Sequence, residues 1–298
     1  MSEPTQVDKQ LVRRSFDKAA LTYDAHAVLQ REIGQRMLER LGYIKYQPLR
    51  ILDVGAGTGQ GTRGLRAQYP QAQVLALDLA EAMLKIACPQ PSLWQKLRHH
   101  AALAVPVCGD MDALPFKAAS MDMIWSSLAL QWSNDLTHNF AEFHRVLSPG
   151  GLLMFSTFGP DTLKELRAAF STVDGYQHVN KFIDMHDIGD WLMQAGFAAP
   201  VMDMEFITLT YADVRAMMHE LKAIGAHNVT AGRNRGLTGR AQWRRLEAAM
   251  EQFRQHGRLP LTWEVIYGHA WRNTTQPRHT DTVKSITWHR HDMASNER

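Results

Sequence analysis

Two cysteines in 298 residues, Cys88 and Cys108, are too few for a disulfide scaffold, and they form neither a C-x-x-C pair nor a Cys/His cluster at zinc spacing. No run reaches the ~18 apolar residues that a membrane span needs. Glu3, Asp8 and Lys9 precede any apolar stretch, so the layout of a secretory signal is missing and a reducing cytoplasm is the expected compartment. Charge of neither sign is in excess: 33 Lys and Arg against 30 Asp and Glu leave +3, which, without an RNA-binding motif, argues against nucleic acid as a partner. G-x-x-x-x-G-K-S/T, H-E-x-x-H and G-x-S-x-G are all missing, which removes the commonest NTPase, zincin and hydrolase readings. The 14 histidines include the pairs His99/His100 and His289/His291, but no carboxylate joins them at metal-binding spacing, so no metal is expected. What is present is an ordinary globular composition, 45% hydrophobic and 21% charged, long enough for one large domain or two small ones.

Residues 9 to 41 repeat their apolar positions with helical period: Val12, Phe16, Ala19, Ala20 and Tyr23 form one stripe, and Leu29, Ile33, Met37, Leu38 and Leu41 the next. Two helices are expected before the first strand. From Arg50 short apolar runs predict strands at 50–54, 73–78, 104–108, 121–127 and 151–157, alternating with helices near 60–68, 80–87, 135–147 and 185–195. Strands at 201–210 and 261–271 follow, separated by helices at 211–224 and 238–254. The expected architecture is α/β: a Rossmann-like, mostly parallel seven-stranded sheet. It divides into cap helices (1–46), a core (47–210), an inserted helical lid (211–258), a last core strand (259–272) and an unstructured tail (273–298).

Ile51-Leu52-Asp53-Val54 runs directly into Gly55-Ala56-Gly57-Thr58-Gly59, a buried strand feeding a glycine-rich turn where backbone N–H groups and a helix N-terminus can approach a polar ligand. The next strand ends in Asp78, where an acid accepts hydrogen bonds from both ribose hydroxyls of a nucleoside. The dinucleotide pattern G-x-G-x-x-G fails, because Gly55 and Gly57 are followed by Gln60, and the formal match from Gly59 to Gly64 starts too far from the strand. A third strand leads to Gly109-Asp110-Met111-Asp112, placing Asp110 to accept from an adenine amino group.

These segments resemble the class I S-adenosylmethionine-dependent methyltransferases: LDVGAGTG, the acid at Asp78, GDMDALPF, and the turn Leu147-Ser148-Pro149-Gly150-Gly151 before the fifth strand. The resemblance implies S-adenosylmethionine as cofactor. Its site would comprise Asp53, Gly55, Ala56, Gly57, Thr58 and Gly59 in the first turn, Asp78, Leu79 and Met83 after the second strand, Gly109, Asp110 and Met111 after the third, and Ser126 and Ser127 at the end of the fourth. Trp125 and Trp191 are expected to pack in the core, and Trp132 to face the site.

A narrower likeness spans nearly residues 9 to 271. Phe16-Asp17-Lys18-Ala19-Ala20 with Thr22-Tyr23-Asp24, Ser127-Leu128-Ala129-Leu130-Gln131-Trp132, Leu221-Lys222-Ala223-Ile224-Gly225-Ala226 and Gly257-Arg258-Leu259-Pro260-Leu261-Thr262 are similar to the malonyl-[acyl-carrier protein] O-methyltransferases of biotin synthesis. That resemblance implies methylation of the free carboxyl of a malonyl thioester, masking it so that fatty-acid synthase can extend it. The thioester is carried by acyl-carrier protein or by coenzyme A, which present the same head and pantetheine arm. Tyr23 and Arg145 are expected to orient the carboxylate, and Gln131 and Trp132 to contact the substrate. Between Ala226 and Pro260 lie seven arginines, Arg233, Arg235, Arg240, Arg244, Arg245, Arg254 and Arg258, against Glu247 and Glu251. Arg244 and Arg245 are expected to meet an acidic carrier protein. A competing likeness remains, because Gly159-Pro160-Asp161-Thr162-Leu163-Lys164-Glu165-Leu166-Arg167 also resembles mitochondrial complex I assembly factors associated with arginine hydroxylation.

Overall fold

The computed structural model of the chain describes residues 7–89, 104–176, 178–224 and 239–274. Its first element, α1 (Lys9–His26), is started by Asp8, whose side chain accepts from Gln10 N at 3.0 Å and Leu11 N at 3.1 Å. It continues almost directly into α2 (Val28–Gly42), which buries Leu29, Ile33, Met37 and Leu41 along one stripe. The same aspartate signature opens three later helices, at Asp135, Asp184 and Asp213.

Seven strands form one sheet: β1 (Arg50–Val54), β2 (Gln73–Asp78), β3 (Val105–Cys108), β4 (Met121–Ser127), β5 (Leu147–Phe158), β6 (Phe197–Tyr211) and β7 (Leu259–Arg272). Their order is β3-β2-β1-β4-β5-β7-β6; β3 to β5 pair in parallel, and β7 runs antiparallel between β5 and β6. The intervening helices are α3 (Gln60–Gln68), α4 (Glu81–Ala87), α5 (Leu136–Val146), α6 (Lys164–Ser171), α7 (Met185–Gln194), α8 (Val214–Ala223) and α9 (Arg240–Glu251). The side-chain period of two splits the sheet's apolar residues between two cores. Met123 and Trp125 of β4 join Ile33, Met37, Leu65, Met217 and Leu246 on one face. Ile124 joins Phe140, Phe143, Phe155 and Ile188 on the other.

Several boundaries differ from expectation by up to three residues, two strand starts by four, and one α-helix is additional. β5 starts at Leu147, not 151, because Leu147 pairs with Met121 before the register shifts toward Met123. β6 starts at Phe197 because its first residues pair with Ala270's neighbours Trp271 and Arg272. Helix α6 was not expected; it is short, follows the left-handed Leu163 (φ 58°), and buries only Leu166, Ala169 and Phe170 among its apolar residues. The histidine pairs His99/His100 and His289/His291, Arg233, Arg235 and the tail from 275 lie outside the described residues. No described helix is long and apolar enough to cross a membrane.

The switch in strand order falls between β1 and β4: from β1 the chain winds outward to β2 and β3, then returns to β4 on the other side. In such sheets a crevice opens at the carboxyl edge at that point.

Candidate active site

A pocket occupies this crevice, floored by the turns after β1, β2, β3 and β4 and roofed by α1 and α2. The β1 turn is shaped by its glycines. A Cβ on Gly55 would lie 2.3 Å from the Ala129 methyl, and one on Gly59 2.7 Å from the Ala87 backbone, so both positions demand glycine for close packing. At Gly57 (φ 54°) a Cβ would meet nothing within 4 Å; this glycine faces open pocket.

Asp78, ending β2, is fixed by the backbone on both oxygens: Oδ2 accepts Gly57 N and Oδ1 accepts Ala80 N, each at 2.8 Å. A carboxylate has about four acceptor positions, so both oxygens keep capacity for a ligand's hydroxyls. Burial raises its pKa, opposed by those two backbone bonds. Asp53, on β1, is deeper. Burial pushes its carboxyl up to about 7, against the Thr62 hydroxyl bond at 2.6 Å that favours the anion and with some help from the Asp78 charge. Asp110 lines the pocket after β3, its Oδ1 accepting Lys9 Nζ at 2.9 Å and Asp112 N at 3.0 Å.

Helix α1 is strapped over the pocket by three polar ties. Lys9 bridges Asp110 and Asp112 at 2.9 Å each. Asp17 Oδ1 accepts Ala82 N at 3.0 Å, supplying from another element the cap that the N-terminus of α4 lacks. The Thr58 hydroxyl donates to Asp24 at 2.6 Å. Between the ties, Val12, Phe16 and Tyr23 line the cavity, and the Phe16 ring meets Trp132 edge-on at 5.5 Å. The Tyr23 phenol is raised well above its ordinary value, first by burial and then by the Asp78 and Asp24 charges.

Of the expected cofactor residues, Asp53, Gly55, Ala56, Gly57, Thr58, Asp78, Leu79, Met83, Gly109, Asp110, Met111 and Ser127 all line this pocket, as do Tyr23 and Trp132. Six expected residues lie elsewhere. Gly59 serves the turn's packing against α4 and is not part of the lining. Ser126 is fully buried on the opposite pleat from Ser127. Arg145 is spent on structure: its guanidinium binds Glu142 at 2.7 and 2.8 Å and the carbonyls of Phe116 at 2.8 Å and Leu114 at 3.2 Å, stapling the β3–β4 connection to α5. Arg244 and Arg245 are exposed on α9, away from the lining. Gln131 borders a second cavity instead.

The structure also adds lining residues that the motifs did not reveal: Lys9, Gln30, Gly34, Gln60, Gly61 and Trp125. Gln30 Oε1 and Trp125 Nε1 are buried there without hydrogen-bond partners. Trp125 is thus core and lining at once. A polar Gln30 beside the apolar stripe of α2 was the available signal. Among the described residues no cluster of three or more His, Cys, Asp or Glu is disposed to hold a metal.

An unpartnered acceptor at Gln30 and donor at Trp125, a carboxylate at Asp53, spare acceptor capacity on Asp78 and open space above Gly57 suit a ligand with a charged amino-acid end and a ribose diol. S-adenosylmethionine has both. Residues 52–155 match the family model for a methyltransferase domain. The chain is similar to the malonyl-[acyl-carrier protein] O-methyltransferase of Gallionella capsiferriformans, 59% identical over 89% of this chain and 91% of that protein. To the protein of the same name from Laribacter hongkongensis it is 56% identical over 99% of this chain and all of the relative. Among solved structures, a putative methyltransferase of Bacillus halodurans superposes with a TM-score of 0.56 at 18% identity, covering 80% of this chain and 98% of that one, a likeness of fold. The chain belongs to the malonyl-[acyl-carrier protein] O-methyltransferases, within the class I S-adenosylmethionine-dependent methyltransferases.

Proposed function

We infer that the chain esterifies the free carboxylate of a malonyl thioester carried on acyl-carrier protein, an early step of biotin synthesis. The observation that carries this reading is the identity sustained over essentially the whole length of the Laribacter relative, helices over the pocket included. Bound S-adenosylmethionine supplies a methyl group on a cationic sulfur, activated for transfer to a nucleophile. Asp53, Gln30 and Trp125 hold its amino-acid end, Asp78 its ribose, and Asp110 its adenine.

The lining suits a carboxylate acceptor. A malonyl carboxylate is ionised at neutral pH and needs no general base. The acids in the pocket are already engaged: Asp53 with Thr62, Asp78 with two backbone N–H groups, Asp110 with Lys9. Tyr23 stays protonated and donates to the incoming carboxylate, setting its angle of approach. Val12 and Phe16 on α1, with Met83 and Trp132, exclude the water that would otherwise hydrate the nucleophile. Alignment of this kind supplies on the order of 7–11 kcal/mol of barrier reduction. The segment resembling complex I assembly factors serves the loop after β5: Arg167 binds the carbonyls of Pro160 and Thr162, and Glu264 accepts from Asp161 N.

Incubation with methyl-labelled S-adenosylmethionine and malonyl carrier protein is expected to yield a base-labile methyl ester. Label transferred only to acceptors other than a malonyl carboxylate would overturn the assignment.

A further inference from the structure

A second cavity, about 430 Å³, lies beside the first, beyond the single turn Leu130–Trp132. Trp132 lines one cavity and Gln131 the other. The second is bounded by Thr157 and Phe158 at the carboxyl end of β5, by the segment leading into α5, by residues 180–183 before α7, and by Val7 at the root of the α1 strap. Its volume falls in the range of small-molecule sites, which run from about 300 to 1,000 Å³.

Its polar groups have a definite character. Gln131 Nε2 donates to Leu128 O at 2.6 Å, which fixes the amide and leaves Oε1 buried with no partner. Asn180 Oδ1 is likewise buried and unpartnered. A buried acceptor without a donor is destabilising, so two in one cavity call for a ligand bearing N–H or O–H groups. Lys181 beside them is exposed and forms no ion pair among the described residues. Asp135, the acid on this rim, is committed to capping α5 through His138 N at 3.0 Å and to the Thr137 hydroxyl at 2.6 Å. The walls between are apolar: Phe158, Phe182, Ile183 and Trp191.

We propose that this cavity seats the phosphopantetheine arm of the thioester, with Gln131 and Asn180 accepting from its amide or hydroxyl hydrogens and Lys181 pairing with its phosphate at the mouth. The arm has the required sequence of groups: a phosphate, then a branched apolar segment, a hydroxyl and two amides, ending in the sulfur that bears the acyl group. The cavity's position puts that sulfur near the turn dividing it from the pocket, so that the malonyl carboxylate crosses the turn past Trp132. The assignment rests on the thioester reading of the function and specifies where the thioester's carrier half binds.

The test combines binding and turnover. Calorimetry with 4′-phosphopantetheine alone is expected to detect binding to the wild-type protein and a loss of tenfold or more in Gln131→Leu/Asn180→Leu, with Lys181→Ala reducing affinity only when the phosphate is present. No binding by the wild-type protein, or equal binding by the double variant, overturns the subsite whatever the reaction proves to be. For turnover, malonyl carrier protein, malonyl coenzyme A and a malonyl ethyl thioester lacking the arm are compared. The double variant is expected to lose at least tenfold more kcat/KM on the two armed substrates than on the ethyl thioester. A loss equal on all three refutes the proposal. Failure of the wild-type protein on all three would refute the thioester reading and leave the calorimetric result to decide the subsite. A Lys181→Ala effect on the carrier-protein substrate with none on the coenzyme A ester, or the reverse, identifies which source of the arm the mouth is built for.

Discussion

Asp53 is the residue whose protonation the fold disturbs most usefully. Its carboxyl titrates near 7 in the folded chain, against 3.8 for the unperturbed group. The folded state therefore holds a proton that the unfolded state releases. Asp53's contribution to stability is complete below about pH 4 and falls through the window up to about pH 7, by at most about 1.4 kcal/mol per pH unit. Thermal unfolding of the ligand-free protein from pH 5 to 8 is expected to show a decline that Asp53→Asn lacks; parallel curves would place the titration elsewhere. Asp78 serves the ligand and the turn together. Its replacement by Ala removes an acceptor for two hydroxyls and should weaken S-adenosylmethionine binding by roughly 1.5–3 kcal/mol, about ten- to more than a hundredfold by calorimetry. Tyr23 and Arg145 are expected to separate. Tyr23→Phe should lower kcat more than tenfold with cofactor affinity nearly unchanged. Arg145→Ala should leave kcat/KM within a few-fold and lower unfolding stability by about 1–2 kcal/mol, because its guanidinium, partly open to solvent, holds a loop and not a substrate. Loss of turnover without loss of stability in Arg145→Ala would reverse that conclusion.

At the level of elements, the strap formed by α1 is the part of the site most dependent on a few contacts. Its ties to Asp110, Ala82 N and Thr58 hold an apolar surface over the cofactor pocket. Replacing Lys9 and Asp24 together by Ala should increase hydrogen exchange in α1 and speed cofactor dissociation about five- to thirtyfold, the effect of one to two kcal/mol; exchange confined to wild-type rates would mean that packing alone seats the helix. Elements were legible to the degree that they are locally determined. β1, β2 and β4 read correctly to the residue because doubly buried parallel strands are apolar runs bounded by turns. The carboxyl-edge acids followed from the same runs. The stripe of Val12, Phe16 and Tyr23 was legible too, but the part played by Lys9 on α1 and by Gln30 and Gly34 on α2 was not, since which flank of an amphipathic helix meets a pocket is decided by tertiary packing. Ser126 and Ser127 show a missed inference of another kind. Adjacent strand residues point to opposite faces, so only one of the two belongs to the pocket, and the period of two already required a choice. The contacts of Arg145 were not legible either, because an arginine ahead of a turn looks alike whether it binds a ligand or the chain's own carbonyls.

Over the whole molecule, charge is unevenly placed, and among the described residues the arginines of the basic stretch divide into those tied to the chain and those left exposed on α9. Arg254 is tied to Glu251, Ala212 O and Gly257 O, and Arg258 to Thr210. Arg240, Arg244 and Arg245 remain exposed on α9. Arg244→Glu with Arg245→Glu is expected to raise KM for malonyl carrier protein several-fold and to flatten its salt dependence, while a malonyl coenzyme A substrate is spared; equal losses on both would assign the pair to the packing of α9 itself. The position of β7 has a different consequence, for the order in which the protein is made. The strands that floor the cofactor pocket have all been synthesised by residue 127, whereas the strand that joins β5 to β6 begins only at Leu259. Until then both β5 and β6 present unpaired backbone, and β6, at 15 residues, is a long one. A nascent chain can thus complete its nucleoside-binding half early yet remain adhesive until β7 inserts. A message truncated near codon 258 would yield a protein with every pocket aspartate in place and a strong tendency to aggregate.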